Sequence, residues 1–64
     1  MTCDEFIQQT IQVLRDRHGV PHPDAVAMVD DKALMDEMHG DLLSPEDAAA
    51  DLIAAIMQPG AERG

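Results

Sequence analysis

The stretch Ser44–Met57, S-P-E-D-A-A-A-D-L-I-A-A-I-M, decides the fold class of this chain. Ser44 suits the N-cap of a helix because its hydroxyl can accept from the first free amides, and Pro45 suits the first helical position, where no N–H donor is needed. Apolar residues then recur at helical spacing and form one ridge, made of Ala48, Leu52 and Ile56. We therefore predict a helix over about 45–58 and expect the rest of the chain to pack on it.

Length and charge restrict the class of protein. A chain of 64 residues forms one domain, 1–64, and so small a domain gains little core energy beyond its conformational entropy cost. Thirteen Asp and Glu against four Lys and Arg give a formal net charge of −9. This charge argues against direct binding to nucleic acid or to an anionic membrane, and it favours a basic partner. The hydrophobic share of 45% exceeds that of disordered chains, so we expect a packed core.

The N-terminal sequence and the single cysteine bear on location. Cys3 has no second cysteine with which to form an internal disulfide, and one free thiol fits a reducing compartment. The first residues lack the basic region and long apolar run of a signal peptide. The longest apolar run, 52–57, is too short to span a bilayer. We expect a cytoplasmic protein.

Another helix is predicted at the start of the chain. Thr2 and Glu5 form the T-x-x-E pattern of a capping box, and Gly19 suits the left-handed position that follows a helix. One broad face between them carries Cys3, Phe6, Ile7, Thr10, Ile11, Val13 and Leu14. We place this helix at about 3–18.

The middle of the chain contains prolines and a further helix. Each proline in 20–23 disfavours the helical region for the residue before it, so we interpret this segment as an extended connector. Residues 24–29 fit a short helix or a short extended segment, and we favour the helix because no second strand is available to pair with it. Asp30 suits the N-cap of a helix over about 31–39, and Gly40 suits its end.

The sequence thus predicts an all-α fold, a small single-domain bundle of three main helices at about 3–18, 31–39 and 45–58. Residues 24–29 add a short fourth helix, and 60–64 form a frayed tail. The predicted core is aliphatic apart from one phenylalanine and consists of Phe6, Ile7, Ile11, Leu14, Val26, Val29, Leu34, Met38, Leu42, Leu52, Ile53 and Ile56.

Three histidines and the cysteine are the candidate metal ligands. His18 and His22 have a spacing that some zinc sites use, and Cys3 and His39 could add ligands. A structural zinc site commonly takes four ligands from closely spaced pairs, and one cysteine supplies no such pair. His18 also suits a helix C-terminus, where a cation is favourable. We predict no metal, no cofactor and no catalytic residue.

Acidic residues are concentrated in the segment 24–51. It holds nine Asp and Glu against one Lys. Several of these acids stand at predicted helix starts, where they stabilise the helix dipole. Together they create a field that can attract a basic surface. The predicted partner-binding residues are Asp30, Asp31, Asp36, Glu37, Asp41, Glu46, Asp47 and Asp51.

These features favour a non-enzymatic protein-binding module, such as a small regulator, adaptor or inhibitor. The sequence contains neither a nucleophile elbow nor a glycine-rich phosphate loop. One alternative is an acidic decoy that mimics nucleic acid and blocks a basic nucleic-acid-binding protein. A second is a small metal-binding protein or enzyme subunit that uses the histidines and the cysteine. Little chain is available to cover the first and last helices, so we also expect a homodimer or a hetero-complex, with an apolar interface at Ile11, Leu14 and Met57.

Overall fold

A computed structural model of the chain describes residues 2–57, without the side chain of Met57. Within that range all regular structure is helical and no strand is formed, which confirms the predicted all-α class. The predicted frayed tail at 60–64 lies outside the described residues. The helices, in chain order, are α1 Cys3–His18, α2 His22–Met28, α3 Lys32–Gly40 and α4 Pro45–Met57.

Both ends of α1 form as the sequence predicts. The Thr2 hydroxyl accepts from the Glu5 N–H at 3.2 Å, and the Glu5 carboxylate accepts from the Thr2 N–H at 3.0 Å, which completes the capping box. Gly19 takes the left-handed conformation, with φ of 65°. The Leu14 carbonyl then accepts from the N–H groups of Gly19 and Val20, so a carbonyl at the helix end is paired.

The second helix, α2, begins two residues earlier than predicted. His22 and Pro23 are helical, so the interpretation of 20–23 as wholly extended is wrong at these two positions. A proline in the first helical turn costs no hydrogen bond, because an N–H there has no intrahelical acceptor. Pro21, at the N-cap, remains extended with φ −59° and ψ 148°. Of the two alternatives for 24–29, the short helix is confirmed, although it ends at Met28.

The third helix, α3, begins and ends at different signals from those predicted. Its N-cap is Asp31 rather than Asp30, and the Asp31 carboxylate accepts from the Leu34 N–H at 3.2 Å. Gly40 does not end the helix through a left-handed turn, since it is the last helical residue itself. The left-handed residue is Leu42, with φ of 63°.

Two hydrogen bonds hold Leu42 in this conformation. Its N–H donates to the His39 carbonyl at 3.0 Å, and the N–H of Leu43 donates to the Met38 carbonyl at 3.2 Å. This pair is the Schellman arrangement, which usually has glycine at the left-handed position. A leucine there is strained, because its Cβ crowds the following carbonyl.

The central helix is α1, not α4. The helices α2, α3 and α4 each pack on α1, so the expectation that the chain would pack on the last helix is wrong. The reason is the length and the broad face of α1, which spans 16 residues and buries Phe6, Thr10, Ile11 and Leu14. The start of α4 is as predicted, because the Ser44 hydroxyl caps it by accepting from the Asp47 N–H at 3.1 Å. Its predicted end at residue 58 lies outside the described residues.

Burial agrees with about half of the predicted core. The predicted residues that are buried are Phe6, Ile11, Leu14, Val29, Met38 and Leu52. Half-buried residues packed against them are Ile7, Leu34 and Ile53. Three predictions are wrong, since the exposed fraction is 41% for Val26, 90% for Leu42 and 57% for Ile56. Buried residues that the prediction omitted are Thr10, Ala25, Met35, Pro45, Ala48 and Ala49.

Most of the omitted residues are small or carry a polar group, whereas Met35 is a large apolar side chain that is fully buried. Ala25, Ala48 and Ala49 are fully buried, which allows α2 and α4 to approach their neighbours closely. Burial of Ala25 turns the adjacent Val26 outward, because neighbouring residues on a helix point about 100° apart. The Thr10 hydroxyl is satisfied by the Phe6 carbonyl, at 2.8 Å. Its burial therefore leaves no polar group without a partner.

Candidate functional site

Two apolar grooves lie on either side of α2. The first, here called the α1–α2 groove, has a volume of about 340 Å³. Its lining combines aliphatic side chains with a polar edge and consists of Ile7, Gln8, Ile11, His22, Val26, Val29, Asp30 and Lys32. The ionisable groups at this edge are the His22 ring, from α2, and the side chains of Asp30 and Lys32, from around the start of α3. Asp30 and Lys32 carry opposite charges, so this groove has no uniform charge.

The second groove lies between the end of α1, α2 and α4 and is here called the α2–α4 groove. It is larger, at about 500 Å³. Its lining consists of His18, Gly19, Val20, Pro21, Asp24, Ala27, Met28, Ile53 and Ile56. The C-terminal ends of α1 and α4 therefore converge on the connector that leads into α2. Sequence reasoning could not find this groove, because three separate segments form it.

The floor of the α2–α4 groove is aliphatic, and its edge is exposed. Val20, Met28 and Ile53 are half-buried and pack against the core. Ile56, predicted as core, lies at the groove with 57% of its surface exposed. A methionine in such a floor adapts its shape to different partners. The arrangement can take up an apolar side chain from another molecule.

The charge around the α2–α4 groove is mixed. His18 and Asp24 line it, and Arg15 and Arg17 stand in the same last turn of α1 as His18. Arg15 and Arg17 are favourable there, because the C-terminus is the negative end of the α1 dipole. The groove therefore lies beside a basic helix end in a protein whose net charge is −9.

All eight acidic residues predicted to bind a partner are exposed. These acids differ in the structural roles that their side chains already have. Asp31 is committed to capping α3, and Asp36 accepts a hydrogen bond from Cys3. Glu46 and Asp47 stand in the first turn of α4, where they stabilise the helix dipole. Asp30 lines the α1–α2 groove.

The remaining acids, Glu37, Asp41 and Asp51, stand on α3, at its C-cap and on α4 respectively. The role of the eight acids in partner binding stays a prediction.

Cys3 is paired with an acid rather than with a metal-ligating group. Its Sγ donates to Asp36 Oδ1 at 2.9 Å, which joins the first turn of α1 to α3. This hydrogen bond, followed by partial burial and the charges of Asp36 and Asp4, raises the pKa of the Cys3 thiol above its ordinary value. The thiol is therefore kept in its neutral, less nucleophilic form.

The three histidines are separated in the fold. His18 lines the α2–α4 groove and His22 lines the α1–α2 groove, so their spacing does not bring them to one groove. The ring of His39 lies against Phe6, with 5.5 Å between centroids and 55° between planes. Within residues 2–57 no three His, Cys, Asp or Glu side chains are grouped so that they could hold a metal ion.

The predicted apolar interface residues have different positions. Leu14 is fully buried and has no surface to offer a partner in this fold. Ile11 is 7% exposed and lies in the α1–α2 groove. The side chain of Met57 lies outside what the structure describes. Among the four helices of residues 2–57, none is long and apolar enough to cross a membrane.

The chain matches no family model, no curated protein and no solved structure with which it was compared.

Proposed function

We propose that this protein is a small, acidic, non-enzymatic protein-binding module, and that its α2–α4 groove holds the apolar face of a basic partner helix. The observation that carries the proposal is Ile56. A large aliphatic side chain with 57% of its surface exposed stands beside half-buried aliphatic residues in an open groove. Contiguous apolar surface of this kind marks interaction sites in small proteins.

A helix is the occupant that fits the shape of the groove. The groove is formed by the helices α2 and α4 together with the connector at the end of α1. An amphipathic helix lies in such a groove with apolar residues at intervals of three and four. Burying Ile56 against it would remove apolar surface that the isolated chain leaves in water.

We assign the sign of the partner from the net charge of the whole chain, although Arg15 and Arg17 stand near one end of the groove. Thirteen acids against four bases create a negative field, which speeds the approach of a basic protein. The apolar groove then supplies the contact that is insensitive to salt. The partner is therefore expected to combine lysine or arginine on one helix face with leucine or a similar residue on the other.

The test is an NMR titration of the full chain with a synthetic amphipathic helix that has leucines on one face and lysines on the other. We expect saturable amide shifts at Val20, Met28 and Ile53. Ile56→Asp should weaken binding by about tenfold or more, because burial of one aliphatic side chain is worth at least that factor. The matched control is Leu42→Asp, which makes the same change at an exposed leucine outside both grooves and should bind as the wild type does.

Three results would overturn the proposal. Equal affinity of the Ile56→Asp and Leu42→Asp variants would show that the groove is not the binding site. Affinity that falls steeply with salt, with shifts confined to the acidic side chains, would favour the acidic decoy. Chemical shifts in the groove that depend on protein concentration without peptide would make a second copy of the chain the occupant.

A further inference from the structure

We infer that α2 opens from the fold as a separate unit while α1, α3 and α4 stay packed, and that this opening joins the two grooves into one apolar surface. The opening itself is independent of the proposed binding function. Its use as control of a binding surface rests on that function.

The first observation is the small buried surface of α2. The helix has seven residues, and Ala25 is the buried one, with Met28 half-buried. Val29, at the C-cap, adds one more buried side chain. By contrast, α1 buries four residues, among them the large side chains of Phe6 and Leu14. The helix α3 also buries more, through the large side chains of Met35 and Met38. Local opening is easiest where it exposes the least buried apolar surface, and of the four helices α2 has the least.

The second observation is the hydrogen bonding of α2. Its N-cap is Pro21, whose side chain makes no capping bond, whereas the other three helices are capped by Thr2, Asp31 and Ser44. At its end, the bonds from Val29 to Ala25 and from Asp30 to Ala27 are both 3.3 Å long. Short helices without caps are marginal, because nucleation fixes several residues for few bonds.

The third observation is the position of α2 between two grooves. The α1–α2 groove lies on one side of it and the α2–α4 groove on the other. Its main packing partner is α1, while α3 and α4 make their own contacts with α1. The cap of α3 at Asp31 lies beyond α2 and stays in place when α2 moves. Gly19, in the left-handed region before α2, provides a turn without a side chain.

The consequence concerns the residues that now line separate grooves. Ile7 and Ile11 of α1 line one groove, and Ile53 and Ile56 of α4 line the other. With α2 displaced, no helix stands between them. The open state therefore presents a wider aliphatic surface than the closed state, and α2 acts as its cover.

The first experiment is native-state hydrogen exchange by NMR on the full chain, with urea below the unfolding transition. We expect the amides of Ala25, Val29 and Asp30 to be at least about tenfold less protected than those of Leu14 and Leu52. Their exchange should also depend only weakly on urea, since a small opening exposes little surface. Exchange of all five amides along one common curve would overturn the inference.

Two variants at the N-cap test whether hydrogen exchange of the α2 amides is controlled by the stability of α2 itself. Pro21→Asp supplies a side chain that can accept from the first free amides, and it should slow exchange at Val29 several-fold while leaving Leu52 unchanged. Pro21→Ala is the matched control, because it removes the proline without adding a cap, and it should not slow Val29. Equal slowing at Val29 and Leu52 in Pro21→Asp would contradict a separate unit.

A third variant tests what the opening exposes. Ala25→Asp places a charge at the fully buried position of α2 and should release that helix. We expect binding of an apolar fluorescent dye to rise several-fold while the amides of Leu14 and Leu52 keep their protection. Loss of protection throughout the chain, or retained protection without added dye binding, would overturn the inference.

Discussion

The thiol of Cys3, in the first turn of α1, donates a hydrogen bond to Oδ1 of Asp36 in α3, with 2.9 Å between Sγ and Oδ1. A helix N-terminus ordinarily lowers the pKa of a thiol, because it favours the thiolate. Here the pKa is raised, first by the bond to Asp36 and then by desolvation and by nearby negative charge. The acid on α3 is therefore the main cause of a raised pKa at a position where thiol pKa values are ordinarily lowered.

Replacing the acid should reverse this effect. In Asp36→Ala we expect the pKa of the Cys3 thiol to fall toward or below its ordinary value of 9.0, because the hydrogen bond and the charge are both lost. The rate of alkylation by iodoacetamide as a function of pH measures this. Glu37→Ala removes the same charge from the next residue of α3 and should leave the profile nearly unchanged.

The same bond has a consequence for stability in alkali. A pKa raised in the folded state means that stability is fully present below the unfolded-state pKa and is lost as pH rises through the folded-state pKa. The wild type should therefore lose stability in this alkaline range, and Asp36→Ala should lose less. Urea unfolding at several pH values measures the alkaline loss of stability in both proteins. The signal is far-ultraviolet circular dichroism, because the chain has no Trp or Tyr. A steeper alkaline loss in the variant would contradict the assignment.

Glu5 should produce the opposite dependence in acid. Its pKa is lowered, chiefly because its carboxylate accepts from the Thr2 N–H. A lowered pKa stabilises the fold above the unfolded-state value, and this stability is lost as pH falls through the folded-state pKa. Glu5→Gln should therefore flatten the acid side of the stability curve. Asp4→Asn, an adjacent change of equal charge outside the capping box, is the control, and equal flattening in both variants would argue against a specific role of the box.

The end of α3 can be improved at two positions. Leu42→Gly should stabilise the protein by about 0.5–1 kcal/mol, because relief of the left-handed strain exceeds the added entropy of glycine in the unfolded chain. Leu42→Ala removes the same exposed side chain but keeps the strain, so its effect should stay within about 0.5 kcal/mol. Gly40→Ala should add about 0.5–1 kcal/mol, since Gly40 is helical and a Cβ there meets nothing within 4 Å. Urea midpoints measure all three, and destabilisation by Leu42→Gly would show that the leucine side chain makes a stabilising contact.

Size at the α1–α4 contact should matter more than hydrophobicity. Ala48→Leu should destabilise the fold by about 1–3 kcal/mol, because Ala48 is fully buried and the larger side chain must displace its neighbours. Ala50→Leu makes the same substitution at an exposed position two residues further along α4 and should change stability by less than about 0.5 kcal/mol. Similar thermal midpoints for both variants would place Ala48 outside the packed contact.

Local signals made α1 and α4 predictable. The capping box at Thr2 and Glu5, the glycine at Gly19 and the cap at Ser44 each act within a few residues of the helix end that they define. The start of α2 was harder to locate. A proline disfavours the helical conformation for the residue before it, yet a proline suits the first turn of a helix. Only the packing of Ala25 decides between an extended segment and a first helical turn at 22–23. Leu42 gave no signal, since nothing local distinguishes a leucine that takes a left-handed conformation.

The candidate site depends on tertiary packing more than the helices do. A hydrophobic pattern favoured Val26 and Ile56 as core residues, and the structure places both at grooves, because small residues beside them already fill the contact. The spacing of His18 and His22 is likewise a local property, and α2 separates the two side chains into different grooves. The acidic character of the surface was predictable from composition alone, since all eight predicted acids are exposed.

The central position of α1 constrains how this sequence can vary. Substitutions on two outer helices, for example at Ala25 of α2 and Ala49 of α4, should have additive effects on stability, because each helix packs mainly on α1. Substitutions that pair a residue of α1 with one it contacts should not be additive. A change of side-chain volume at a position of α1 such as Leu14 must therefore be accommodated by several helices at once. A change of side-chain volume on an outer helix needs a compensating substitution on α1 only.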